Sequence, residues 1–75
     1  MIYYRINVLE ALNKQGYSVV RLQKDRLLGS STITKLNNCK GLPVTGERSL
    51  SISNIDKICA LLECQPGDFL EYRKS

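Results

Sequence analysis

Short hydroxyl side chains and one lysine are grouped in the middle of the chain, at a spacing that a helix would bring together. These residues are Ser30, Ser31, Thr32, Thr34 and Lys35. A hydroxyl group both donates and accepts hydrogen bonds, and an ammonium group donates to anions. A helix that presents such side chains lets its backbone approach a second surface closely. The major groove of DNA is a surface of this kind, because it admits one α-helix and its donors and acceptors distinguish the base pairs.

Positive charge is concentrated in the same part of the chain. The net charge is +4, and residues 21–48 hold six basic and two acidic residues, which accounts for the whole excess. The six basic residues are Arg21, Lys24, Arg26, Lys35, Lys40 and Arg48. A local positive field raises the concentration of polyanions nearby. A solvated basic face would have the same composition, so the charge alone leaves both interpretations open.

The residues that support catalysis or metal binding are scarce. The chain has no histidine, and its three cysteines, Cys39, Cys59 and Cys64, include no Cys-x2-Cys pair. A closed zinc site needs four ligands, and a thiol nucleophile at Cys39 would have no histidine partner. No glycine-rich phosphate motif occurs. We therefore expect no enzymatic activity, no metal, no cofactor and no small-molecule ligand, with the cysteines as buried or half-buried thiols.

Three helices are predicted to position the polar cluster. Apolar spacing favours a helix over 6–15 that ends at Gly16. Ser18 is a candidate N-cap for a second helix over 18–26. The side chains of that helix predicted to point inward are Val19, Leu22 and the stem of Arg26. A third helix over 30–37, capped by Ser30 or Ser31, places Ile33 and Leu36 inward. Its predicted outer face consists of Ser31, Thr32, Thr34, Lys35 and Asn38. Two short helices joined by a turn that contains Gly29 are typical of a helix-turn-helix.

The second half of the chain is predicted to be a loop followed by two helices. Residues 38–52 are punctuated by Asn, Gly and Pro, which favours a loop. Ser53 and Asp56 have capping-box spacing and predict the start of a helix. The apolar stripe of that helix consists of Ile55, Ile58, Cys59 and Leu62. A short final helix is predicted over 66–71, with Pro66 in its first turn.

These elements predict an all-α, compact, five-helix protein. A length of 75 residues leaves room for one domain, so 1–75 is expected to fold as a single helix-turn-helix domain. No apolar run approaches the roughly 20 residues of a membrane span, and the first residues do not have the pattern of a signal peptide. We therefore expect a cytoplasmic protein without a membrane partner.

Most of the chain resembles a known family. The matching segments are RLQKDRLLGSSTITKL at 21–36, IDKIC at 55–59 and CQPGDFLEY at 64–72. They resemble the Xre family of Cro/lambda-repressor-type helix-turn-helix proteins, and in particular a small branch with a CQPGD-type C-terminal motif. The resemblance implies a Cro/repressor-like five-helix fold and a sequence-specific transcriptional regulator, repressor-like and of phage or mobile-element type. It also implies double-stranded DNA as partner and a homodimer on the operator.

The resemblance assigns roles to particular positions. The start of the second helix is expected to touch the DNA backbone, and the third helix is expected to read bases. Together with the basic residues nearby, the predicted DNA-binding set is Ser18, Lys24, Ser30, Ser31, Thr32, Thr34, Lys35, Asn38 and Lys40. Gln23 and Leu27 depart from the small residue and the glycine that are common in the family, and Val19 stands where a phosphate-binding glutamine is frequent.

The resemblance does not cover residues 38–50. The stretch 40–50 has few large apolar groups, so we expect it to be mobile, to contribute little to the core and to place Lys40 and Arg48 near phosphates. The competing function is a protein-interaction module of the same fold that binds a repressor or another protein. Salt dependence separates the two functions, because DNA binding weakens steeply as counterions are released.

Overall fold

The chain forms a mainly helical structure with one small sheet. The computed structural model describes residues 1–74 and arranges them in four α-helices, two 3₁₀ turns and two strands. In chain order the elements are β1 (Ile2–Tyr4), α1 (Val8–Lys14), α2 (Val19–Lys24), α3 (Ser30–Leu36), a 3₁₀ turn (Gly46–Arg48), α4 (Ile52–Leu62), a 3₁₀ turn (Pro66–Asp68) and β2 (Leu70–Tyr72). The mainly helical prediction is confirmed. The five-helix, all-α description is wrong, because 66–72 do not continue as a helix. Among residues 1–74 no helix is both long and apolar enough to cross a bilayer.

Local capping determines where α1 and α2 begin and end. The Asn7 side chain accepts a hydrogen bond from the Glu10 amide, and Ser18 Oγ accepts one from the Arg21 amide at 3.1 Å. The chain leaves α1 at Gly16, whose φ of +92° favours glycine. The predicted Ser18 cap and Gly16 terminus are therefore confirmed, while α2 is shorter than the predicted 18–26.

The turn between α2 and α3 is made by an arginine and two leucines. Arg26 adopts φ +54°, and the amides of Leu27 and Leu28 both donate to the Leu22 carbonyl. Leu28 is buried and Leu27 is half-buried, so the turn is tied to the core by its apolar side chains. Gly29 is the extended N-cap of α3, and a Cβ there would meet nothing within 4 Å. Gly29 therefore lies in the turn, as predicted, but as its last residue, and the left-handed conformation of the turn is at Arg26.

Helix α4 starts two residues earlier than predicted. Its N-cap is Ser51, whose Oγ accepts a hydrogen bond from the Asn54 amide at 3.1 Å, and not Ser53. Its apolar stripe is confirmed, since Ile58 is fully buried and the neighbouring apolar residues of the stripe pack partly against the core. The helix ends at Glu63 in the left-handed region, with the Cys64 amide bonded to the Cys59 carbonyl at 3.0 Å.

The two ends of the described chain pair as antiparallel strands. Ile2 lies opposite Tyr72 and Tyr4 lies opposite Leu70. Before β2, the carboxylate of Asp68 accepts a hydrogen bond from the Gln65 amide at 2.9 Å, which closes a single 3₁₀ turn. The predicted helix over 66–71 is wrong because the backbone after Phe69 pairs with β1. Phe69 itself is fully buried, as a core position requires.

One cluster of buried side chains connects β1, the four helices and Phe69, which directly precedes β2. Its fully buried members include Tyr4, Val8, Leu12, Leu22, Leu36, Cys39, Ile58 and Phe69. The hydroxyl of Tyr4 donates to the Arg48 carbonyl oxygen. Burial and the neighbouring thiol of Cys39 raise the pKa of Tyr4 to about 12, while Arg48 acts in the opposite direction. Burial likewise raises the pKa of the Cys39 thiol, so both groups stay neutral at physiological pH.

The segment between α3 and α4 is part of the fold. The Tyr4 amide donates to the Leu42 carbonyl at 2.9 Å, and the Val44 amide donates to the Ile2 carbonyl at 2.9 Å. Val44 and Leu50 pack against the core. The prediction that 40–50 contributes little to the core is therefore wrong, because this segment pairs with the outer edge of β1.

Candidate nucleic-acid interface

Helix α3 is held from one side and exposed on the other. Ile33 and Leu36 are buried, as predicted, and the helix lies against α1 and the 46–48 turn. Thr32 is also buried, with 6% of its surface exposed, and its Oγ1 accepts a hydrogen bond from Asn54 Nδ2 at 3.2 Å. The prediction that Thr32 lies on the outer face is wrong, because it faces the start of α4. The buried residues of this short helix are thus Thr32, Ile33 and Leu36, one more than predicted.

The remaining short polar side chains of α3 are exposed. Ser30, Ser31 and Thr34 are exposed, and Lys35 is half-buried. The prediction that Ser30 or Ser31 caps α3 is wrong, since Gly29 is the N-cap and the helix start has no side-chain cap. Thr34 Oγ1 donates to the Ser30 carbonyl at 3.0 Å, which leaves the lone pairs of this hydroxyl as acceptors. The exposed face therefore presents three hydroxyl groups close to the helix backbone.

The other predicted binding residues lie outside α3, at the two ends of α2 and in the segment that follows α3. Ser18, Lys24, Asn38 and Lys40 are all exposed. Ser18 is engaged as a cap, and Asn38, at φ +52°, accepts a hydrogen bond from Asn7 Nδ2 at 3.5 Å. These contacts orient both side chains at helix ends and leave them accessible to a ligand.

Two neighbouring predictions at α2 are wrong. Val19 was placed inward, but 37% of its surface is exposed, and Arg26 is exposed because its backbone has already left the helix. Leu22 is the buried residue of α2. A six-residue helix makes fewer than two full turns, so it buries one position where the sequence pattern predicted three.

Positive charge near α3 is only partly neutralised. Arg21 lies 3.7 Å from the carboxylate of Asp25, an exposed pair that contributes little to stability. Within residues 1–74, Lys24, Arg26 and Lys40 take part in no ion pair. Their ammonium and guanidinium groups remain available to an anionic ligand such as a phosphate.

Arg26 and Arg48 have positions near α3 that the sequence pattern did not predict. Arg26 lines a shallow depression together with Gln23, Gly29 and Ser30, at the start of α3. Arg48 bonds to the opposite end of the helix. The left-handed backbone of Arg26 could not be predicted, because the residue type of an arginine does not indicate whether its backbone is helical or left-handed. Arg48 belongs to the segment predicted to be a mobile loop, whose sequence gives no indication of a contact with α3.

Comparisons with known proteins agree with this arrangement. The profile of the Cro/C1-type helix-turn-helix DNA-binding domain matches residues 5–75. A Bacillus subtilis (strain 168) protein described as "Uncharacterized HTH-type transcriptional regulator YozG" is 35% identical over 68 residues, which is 91% of this chain and 74% of that protein. No solved structure gives a significant match. With a helix-turn-helix at 19–36 and a profile match over nearly its full length, the chain belongs to the family of Cro/C1-type helix-turn-helix DNA-binding domains.

Proposed function

We propose that this protein is a sequence-specific transcriptional regulator that binds double-stranded DNA as a homodimer and reads the major groove with α3. The observation that carries this proposal is the exposed hydroxyl face of Ser30, Ser31 and Thr34 on a helix packed from behind, in a chain of a DNA-binding family. The similarity to a protein named as a transcriptional regulator supports the regulatory role. We further propose a cytoplasmic, repressor-like regulator of phage or mobile-element type, in the branch with the CQPGD motif at 64–68.

The predicted residues divide between two kinds of contact. Ser30, Ser31 and Thr34 are proposed to contact base edges, because short side chains let the helix backbone approach the groove. The proposed phosphate contacts are Ser18, Lys24, Lys35, Asn38 and Lys40. Thr32 leaves the set of base contacts, since its side chain is buried against the start of α4. Phosphate contacts set affinity and register, while base contacts set specificity.

Leucine at Ser31 or Thr34 should remove sequence preference. A branched apolar side chain on the exposed face can make no hydrogen bond to a base edge, so the variant loses the discrimination that the hydroxyl group supplies at that base pair. Enrichment of duplexes from a randomised pool measures this preference. Ser53→Leu, the same change at an exposed position of α4, is the control and should select the same duplex as the unmodified protein. Undiminished selectivity in both α3 variants would exclude α3 as the reading element.

Alanine at Lys35 should weaken binding by a similar factor on every duplex. If the ammonium group contacts a phosphate, its removal lowers the salt slope of the binding constant by about 1. Fluorescence anisotropy at several salt concentrations measures both quantities. Lys14→Ala is the matched control, because Lys14 is exposed and pairs with Glu10 at 3.2 Å. A loss limited to the selected duplex would instead assign Lys35 to base readout.

A second candidate function is protein binding. The observation that favours it is an open, mostly apolar groove along α4 and the start of the 66–68 turn, lined by Ile55, Cys59 and Pro66, with Ile52 80% exposed at its end. Exposed apolar patches mark contacts with other proteins. Under this alternative the chain would show no DNA affinity that falls steeply with salt.

A further inference from the structure

Arg48 connects the segment after α3 to the end of that helix. Its Nη1 donates to the carbonyl oxygen of Lys35 at 2.8 Å and to that of Asn37 at 3.1 Å. Carbonyl groups in the last turn of a helix have no partner within the helix, and a cation there interacts favourably with the helix dipole. The guanidinium therefore supplies the donors that the final turn of α3 lacks.

The backbone of Arg48 is in turn anchored in the core. Its carbonyl oxygen accepts the hydrogen bond from the hydroxyl of Tyr4, which is fully buried. Tyr4 is held on both backbone groups, because its amide donates to Leu42 and its carbonyl accepts from Gly41 at 2.8 Å. A continuous series of contacts thus runs from the buried Tyr4 of β1 through Arg48 to the C-terminal end of α3.

We propose that Arg48 is a positioning residue for base readout, which sets the orientation of α3 without contacting DNA itself. This inference rests on the proposed function, in which α3 reads bases. The helix is held near its start by the bond between Thr32 and Asn54 and at its end by Arg48. Its reading side chains are short, so a small tilt moves their hydroxyl groups out of reach of the base edges. Selectivity should therefore depend on Arg48 more than overall affinity does.

Arg48→Met tests this proposal, because methionine keeps much of the side-chain volume and removes every donor. The probes are the duplex that the unmodified protein selects from a randomised pool and a scrambled duplex of equal length. The ratio of the two affinities should fall on the order of tenfold, as expected for losing charge-assisted hydrogen bonds that hold the helix. The salt slope on the scrambled duplex should stay unchanged. All measurements are made well below the melting temperature of the variant.

Two results would overturn the proposal. An equal loss on both duplexes with a shallower salt slope would show that Arg48 contacts phosphate. An unchanged affinity ratio would show a role in stability alone. Lys14→Met controls for loss of an exposed positive charge, and Ile58→Val controls for a destabilised core. Both controls should keep the ratio of the unmodified protein.

Amide hydrogen exchange in the free protein gives a test that needs no DNA. Arg48→Met should speed exchange at the end of α3, where the Asn37 amide donates to the Thr34 carbonyl at 3.3 Å, relative to α1. Unchanged relative exchange would overturn the positioning role. If the unmodified protein selects no duplex, the proposed function fails, and the exchange result still shows whether Arg48 holds the end of α3. If Arg48→Met does not fold, the same measurements are made on Arg48→Lys, because lysine keeps the charge and cannot reproduce the planar guanidinium fork.

Discussion

Alanine at Ile58 should lower the free energy of unfolding by about 2–5 kcal/mol. Ile58 is fully buried at the centre of the apolar stripe of α4, in the cluster that also contains Leu36 and Phe69. Truncation removes buried apolar surface and leaves a cavity that the rigid neighbours fill only in part. Small domains have a net stability of roughly 5–15 kcal/mol, so this loss is a large share of the total. Urea unfolding followed by circular dichroism measures the shift in midpoint.

The chain offers a matched control on the same helix. Ile52→Ala makes the identical change at a residue that is 80% exposed, in the first turn of α4. It should leave the urea midpoint nearly unchanged, because little surface is buried there and alanine is the better helix former. If Ile58→Ala and Ile52→Ala moved the midpoint equally, α4 would not pack on the core through Ile58.

Replacing residues 40–50 by a short glycine-serine link should lower the melting temperature strongly or prevent folding. The replacement removes the partly buried Val44 and Leu50 side chains that pack against the core, and it removes the guanidinium of Arg48 from the end of α3. It also removes the hydrogen bonds by which this segment covers β1. Each such bond contributes about 0.5–1.5 kcal/mol, and each of the two partly buried aliphatic side chains contributes less than the roughly 1.5–3 kcal/mol of full burial. The sum is still a large share of a stability of roughly 5–15 kcal/mol. Thermal unfolding followed by circular dichroism measures the loss.

Two exposed positions of the same segment provide the comparison. Thr45→Ser and Glu47→Ser each place one serine of the link at a position whose side chain is exposed and does not pack against the core. Both variants should melt within a few degrees of the unmodified protein, since surface substitutions usually change stability by less than about 0.5 kcal/mol. A full replacement of 40–50 that melted like these variants would mean that the segment is dispensable for folding.

Local signals in the sequence predicted the helix-turn-helix and its surroundings. Ser18 and Gly16 act within one turn of their own position, through a side-chain cap and a positive φ, so they could be identified without knowledge of the fold. The same holds for the apolar spacing of Ile33 and Leu36 in α3 and of Ile58 in α4. The hydroxyl-rich composition of α3 and the basic charge around it also follow directly from the residues in that segment.

Contacts between distant residues decided the rest. Thr32 is polar, and only the position of Asn54, 22 residues further along the chain, makes it a buried partner instead of an exposed one. Residues 66–72 have a proline and an acid that suit a helix start, but the backbone after Phe69 pairs with β1 at the other end of the described chain. The composition of segment 40–50 predicts a polar loop, but in the folded chain its backbone is hydrogen-bonded to β1. Such pairings depend on which groups the folded chain brings together, so they cannot be predicted from periodicity and local propensity.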